Sequence, residues 1–263
     1  MKMLIPLCLT MQFFACSFTM NAQEVVVYTS VKEALKNRKH VQALDLSGQE
    51  LKKVPRKIKR LKYLKQLDLS ENQIQKVPGF LTRMKHLEEL DFNTNKLTAF
   101  TKKSNKFRKL QLLDLSNNKL AVFPTSTYKI QKLQDLRLRN CELSVLPEDI
   151  DKLHSLKSLD LNRNNLSIIP EAFAKLQALQ VVQLSTNNLK VLPDFFGSLQ
   201  NLIWLRVSEN QLKSLPGSIG NLKKLTLLDV SRNQLSELPI SITNILELRE
   251  FHANSNSLKA LPE

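Results

Sequence analysis

The chain has 263 residues, 42% of them hydrophobic, 24% charged and only 6% aromatic, enough apolar material for a sizeable core and too polar for a protein that crosses a membrane many times. Its formal net charge of +15 at pH 7 raises the question of an anionic partner surface.

The first segment, MKMLIPLCLTMQFFACSFTMNAQ, sets one positive residue, Lys2, before an apolar stretch that ends in a small residue, Ala22, ahead of Gln23. This pattern predicts a secretory signal over residues 1–22. The mature chain is then secreted or held in the periplasm or cell envelope, with no transmembrane span after processing. A second reading uses FFAC, residues 13–16, which is similar to a bacterial lipoprotein box with Cys16 lipidated, although Phe13 replaces the usual aliphatic residue. Cleavage after Ala22 leaves Cys141 as the single cysteine, so no disulfide can form within the chain.

Residues 23–40 join an apolar run, Val25 to Tyr28, to a capping-box match, Ser30 followed by Glu33, ahead of a short helical pattern. They predict an N-terminal cap. From residue 41 onward the pattern L-x-x-L-x-L-x-x-N-x-L-x-x-L-P recurs ten times at a constant step of 23 residues. One unit runs Leu64, Leu67, Leu69, Asn72, Ile74, Val77, Pro78; a later one runs Leu156, Leu159, Leu161, Asn164, Leu166, Ile169, Pro170. Alternation in L-x-L sends Leu67 and Leu69 one way and Gln66, Asp68 and Ser70 the other, so each unit holds a short strand. One such strand cannot bury its own face, and copies must stack in parallel. After the proline, pairs such as Ile58 and Leu61, Ile150 and Leu153, or Ile219 and Leu222 close the other side of the core.

The recurrent slot Gln49, Asn72, Asn95, Asn118, Cys141, Asn164, Asn187, Asn210, Asn233, Asn256 is a structural ladder: a sharp turn leaves backbone groups pointing into the stack, and an amide can bond both N–H and C=O. Cys141 in that slot reads as buried and inert. Thr101 in place of the proline, with Ser104 and Thr127 in place of the convex Ile, reads as tolerated variation, with a distorted docking loop as the alternative.

The repeat resembles the leucine-rich repeat family, in the 23-residue LPxxIxxLxxL subclass that also occurs in Ras-suppressor-like proteins. The resemblance covers residues 41–262. It implies an α/β leucine-rich repeat solenoid, a right-handed horseshoe with a parallel concave sheet of about ten strands and short helical or irregular convex segments. The domain organisation is then signal 1–22, cap 23–40 and ten repeat units over 41–263.

Charge divides unevenly. Residues 23–132 carry a net +14, while 133–263 are neutral with 14 charges of each sign. The basic runs RKIKRLKYLK (56–65) and KKSNKFRK (102–109) fall mainly on return segments, hence on the convex side, where they keep the stack soluble or meet an anionic envelope surface. Each run holds a single aromatic residue, Tyr63 or Phe107, too few for the stacking that a nucleic-acid groove requires. On the concave side the first four strands are acidic, with Asp45, Asp68, Asp91 and Asp114 in one column. That column either attracts a basic ligand or is simply the habit of the repeat. Further along it changes to Arg137, Asp160, Gln183, Arg206, Asp229 and His252, while the neighbouring column presents Val181, Trp204 and Leu227, with Ile203 adjoining.

Alternation points Val181, Trp204 and Leu227 away from the core. An apolar centre bordered by Arg137, Arg206, Glu209 and Arg232 has the composition of a binding hot spot, with cross-strand packing as the alternative. Five glycines provide no phosphate loop, the four histidines show no metal-ligand spacing, and no catalytic domain follows. The reading is a non-enzymatic, cofactor-free module that binds a protein or peptide on its concave face. Envelope glycan binding is the alternative, or an intracellular scaffold if the leader is retained. At the other end, Leu248, Phe251, Leu258 and Leu261 border an uncapped last repeat through which copies could associate.

Overall fold

A computed structural model describes residues 25–262; the signal, its Ala22 cleavage site and Cys16 lie outside them. Among the described residues, eleven strands form one open parallel sheet in which each pairs only with its sequence neighbours. They are β1 (Val27–Tyr28), β2 (Ala43–Asp45), β3 (Gln66–Asp68), β4 (Glu89–Asp91), β5 (Leu112–Asp114), β6 (Asp135–Arg137), β7 (Ser158–Asp160), β8 (Val181–Gln183), β9 (Trp204–Arg206), β10 (Leu227–Asp229) and β11 (Glu250–His252). The register advances by 23 residues from β2 onward, as in Leu67↔Leu90 and Leu205↔Leu228, so the repeat in sequence is a translation in space. β1 is one strand more than the repeat count predicts, and it comes from the segment read as a cap. Behind it, helix α1 (Val31–Lys36) buries Ala34; Ser30 is its N-cap residue, yet its side chain makes no capping bond, and the expected capping box is not formed.

The return segments are 3₁₀ turns because the proline carbonyl accepts from the third residue on: Ile58 N–H bonds Pro55 O at 3.1 Å, and Leu61 N–H bonds Ile58 O at 2.9 Å. Ile58, Leu61, Ile150, Phe173, Ile219 and Leu222 are buried against Leu44, Leu67, Leu90 and their equivalents. The exceptions at Ser104 and Thr127, joined by Thr82, are fully buried and satisfied. Thr127 Oγ1 donates to Pro124 O at 2.8 Å, Thr82 Oγ1 to Gly79 O at 3.0 Å, and Ser104 Oγ to Ser126 O. The same coils carry aromatic pairs, Phe100 stacking on Phe107 at 6.2 Å and Phe123 lying 6.0 Å from Tyr128.

The amide ladder is present. Asn72 Nδ2 donates to the carbonyls of Leu46, Leu69 and Ser70 at 2.8, 3.0 and 2.9 Å, while its Oδ1 accepts Leu51 N–H at 2.8 Å. Each asparagine thereby bonds its own coil and the one before it. The residue ahead of the slot turns left-handed, with φ between 51° and 58° at Glu71, Thr94, Asn117, Asn140, Arg163, Thr186, Glu209, Arg232 and Ser255. Two slots depart from the pattern. Gln49 is exposed, and its Nε2 donates to Thr29 O, in the segment before it, at 2.9 Å. Cys141 offers only Sγ, 3.2 Å from Leu115 O, and in both cases the following residue, Glu50 or Glu142, also adopts positive φ.

Candidate functional site in the concave cleft

The outward column of Asp45, Asp68, Asp91 and Asp114 is committed to the turns. Each Oδ1 accepts the backbone N–H two residues on, at 2.8, 2.8, 2.6 and 2.8 Å, as do Asp160 and Asp229 further along. These are Asx turns, which Asp-x-Ser and Asp-x-Asn favour because a short carboxylate can imitate a backbone carbonyl. Crowding in the column has an electrostatic consequence. Burial, then the Asp114 charge, push the Asp91 carboxyl up to about 8, so it is largely protonated at neutral pH. Burial likewise raises Asp114, Asp160 and Glu89.

Arg137 interrupts the acidic series. Its guanidinium forks onto Asp135, with Nη2 2.8 Å from Oδ2 and Nε 3.3 Å from Oδ1, and Nη1 lies 3.8 Å from Asp114. Burial opposes that cation, but the charge and hydrogen bond of Asp135, with Asp114 beside it, more than offset it.

Around Arg137 the sheet encloses a cleft of about 750 Å³ that runs from β4 to β9. Its acidic lining comes from Glu88, Glu89, Asp114, Asp135 and Asp160, and its basic lining from Arg137, Arg139, Lys157, Arg163 and Arg206, with Trp204 at one end. Of the residues picked from sequence, Arg137, Val181, Trp204 and Arg206 line this cleft; Ile203, Leu227 and Arg232 do not. Arg232 sits on the exposed turn, 3.0 Å from Glu209. The expected apolar centre is also less available than alternation suggested. Register sets Trp204 between Val181 and Leu227, where side chains of one column stand about 4.8 Å apart, and both aliphatics are only 5% exposed. Sequence reasoning passed over Gln134, Lys157 and Gln180, one column before the strands, and Arg139 and Arg163 after them. Reading every 23-residue column for charge would have found Lys157, Arg139 and Arg163, whereas Gln134 and Gln180 carry no charge to signal them. Among the described residues no group of three or more His, Cys, Asp or Glu could hold a metal ion, and no helix is long and apolar enough to cross a membrane.

Comparison with known proteins agrees with this geometry. Leucine-rich repeat profiles match residues 62–106, 109–129, 131–189 and 179–235. No curated protein sequence matches the chain. Among solved structures it is similar to a leucine-rich repeat protein of Leptospira interrogans, at 26% identity and a TM-score of 0.73 over 90% of this chain and 78% of that one. It is also similar to the ectodomain of the Arabidopsis thaliana receptor kinase GASSHO1/SCHENGEN3 in complex with Casparian strip integrity factor 2, at 30% identity and a TM-score of 0.72, over 89% of this chain and 29% of that one. A plant peptide hormone receptor, RGFR1 in complex with RGF2, matches at 25% identity and a TM-score of 0.63, over 88% and 42%. With the 23-residue register, the asparagine ladder and these matches in agreement, the chain belongs to the leucine-rich repeat proteins.

Proposed function

We propose that the chain is a non-enzymatic binding module of the bacterial envelope or secreted fraction, and that it recognises a protein or peptide along its concave face from β4 to β9. The observation that carries this reading is the cleft itself: one face presents forked Arg137, the cations Arg139, Arg163 and Arg206, several carboxylates and the single tryptophan. A mixed-charge floor with an aromatic anchor suits an extended polypeptide that carries charges of both signs. One similar structure is a receptor-kinase ectodomain in complex with a named factor and another is a peptide hormone receptor in complex with RGF2, and the apolar leader ending at Ala22 supports export.

The test uses the chain lacking residues 1–22 to capture partners from the envelope fraction of its source, beside Arg163→Ala and Arg206→Ala. A partner held by the wild type and lost from both variants at unchanged melting temperature supports the reading. Identical capture by all three would move the site off the concave face. N-terminal sequencing of the exported protein tests its location: Gln23 at the terminus supports a cleaved signal, and a lipidated Cys16 replaces it with an anchor.

A further inference from the structure

Outside the cleft, four of the eight large exposed aliphatic side chains among the described residues fall in a single column. Val122, Val145, Ile168 and Val191 are 74%, 70%, 75% and 67% exposed and lie 23 residues apart, each just before a buried residue: Phe123, Leu146, Ile169 and Leu192. Since β5 to β8 pair in a constant 23-residue register, the four stack at strand spacing into one stripe about 15 Å long on the side of the solenoid. A single exposed valine needs no explanation; the same position filled by a β-branched aliphatic in four successive coils does. The core does not demand it, because the next two coils place Ser214 and Glu237 there.

A second column changes in step with the first. The residue after each return-segment proline, three positions beyond the stripe and about 10 Å along extended backbone, is Glu148, Glu171 and Asp194 in three of these coils, all exposed. In the N-terminal half the same position holds Arg56, Gly79, Lys102 and Thr125, and after the stripe it holds Gly217 and Ile240. Within a chain of formal charge +15, an acidic row confined to the flank of an apolar stripe selects a basic, amphipathic occupant and disfavours an anionic lipid surface.

We propose that this lateral stripe docks a basic amphipathic helix of a partner protein. Fifteen ångströms of stripe matches about ten helical residues at 1.5 Å rise, enough for aliphatic contacts at i, i+3 or i+4 and i+7, with Lys or Arg on the flank facing Glu148, Glu171 and Asp194. The surface is separate from the concave cleft, and a ligand could occupy either alone.

The probe is a synthetic Leu/Lys peptide with its leucines at helical spacing, beside a scrambled peptide of the same composition and a Leu/Glu peptide of the same spacing. Titration is read by fluorescence anisotropy and the footprint by hydrogen exchange. The Leu/Lys helix is expected to bind and to protect residues 120–194, while the two controls bind at least about tenfold more weakly. The variant Val145→Ser/Ile168→Ser, and separately Glu148→Lys/Glu171→Lys, should each weaken binding about tenfold or more at unchanged melting temperature, since all four side chains are solvent-exposed. Three results overturn the proposal: equal affinity for the wild type and both variants, no binding of the helical peptide, or a dimer in sedimentation that Val145→Ser/Ile168→Ser dissolves, which would make a second copy the occupant.

Discussion

The side-chain oxygen of Asn164 accepts the backbone N–H of Cys141, in the coil before it, at 3.0 Å, and accepts that of Leu143 at the same distance. Its Nδ2 meanwhile donates to Leu138, Leu161 and Asn162 at 2.9, 2.9 and 3.2 Å. One amide therefore satisfies five backbone groups in two coils. Asn164→Leu has a similar volume but strands the N–H groups of Cys141 and Leu143 and the carbonyl of Leu138, whereas Leu161 O keeps Asn187 Nδ2 at 3.0 Å and Asn162 O keeps Asn140 N–H at 2.9 Å; each unpaired buried group costs about 1–3 kcal/mol. A loss of at least about 2 kcal/mol is expected in denaturant unfolding, and an unchanged midpoint would show that the ladder contributes little to stability.

Cys141 has no solvent exposure, and burial pushes its thiol up to about 12. In the native protein at pH 8 it should therefore resist an aromatic disulfide reagent, and react at the rate of a free cysteine once denaturant is added. Fast native labelling would contradict the packing of this slot.

Asp91 binds its proton more tightly when folded, at about 8, than its ordinary value of 3.8. The folded state then holds the extra proton between those values, so stability is greatest below about pH 4 on this group's account and falls as pH rises toward about 8. The slope from one proton is at most about 1.4 kcal/mol per pH unit. Asp91→Asn keeps an oxygen for Asn93 N–H and cannot ionise; it should flatten that decline and stabilise the protein above pH 8. Chemical denaturation across the pH range checks the direction.

Gly220 is required by close approach, since a Cβ there would overlap the carbonyl of Ser241 in the next coil. Gly220→Ala should cost about 1–3 kcal/mol through displacement of that turn, whereas Gly217→Ala, with open space at its Cβ, should be close to neutral. Melting temperatures of the two variants decide it.

The solenoid was legible because its contacts are local in a special sense: what Leu67 touches is fixed by the residue 23 positions on, so a written period becomes a stacking rule. Asn72 could be read as a ligand of backbone groups for the same reason. Val181 and Leu227 could not be read as covered, because alternation gives the face a side chain occupies and says nothing of a neighbour lying over it. The Asp column was half legible. Its charge was apparent, but the Asp-x-Ser signature of a turn was present in Asp45, Ser47 and Asp68, Ser70 and outweighs any call for a ligand. Ser30 shows the reverse case, a capping sequence whose hydroxyl makes no capping bond, since side-chain rotamers near a helix end answer to local packing as well as to spacing.

A stack held together only by nearest neighbours cannot average out a weak joint, and Cys141 makes one. A thiol replaces the amide there, and Ala121 and Glu142 on either side of that joint take up additional left-handed turns. Partial denaturation should thus part the molecule along this fault line into two pieces of unlike character: a basic one that salt stabilises by screening its own repulsion, and a neutral one indifferent to it. The concave cleft runs across the joint, from Glu89 on one side to Arg206 on the other. Any ligand lying along it would act as a splint, and the gain in rigidity on binding would be concentrated where the protein, left to itself, is readiest to open.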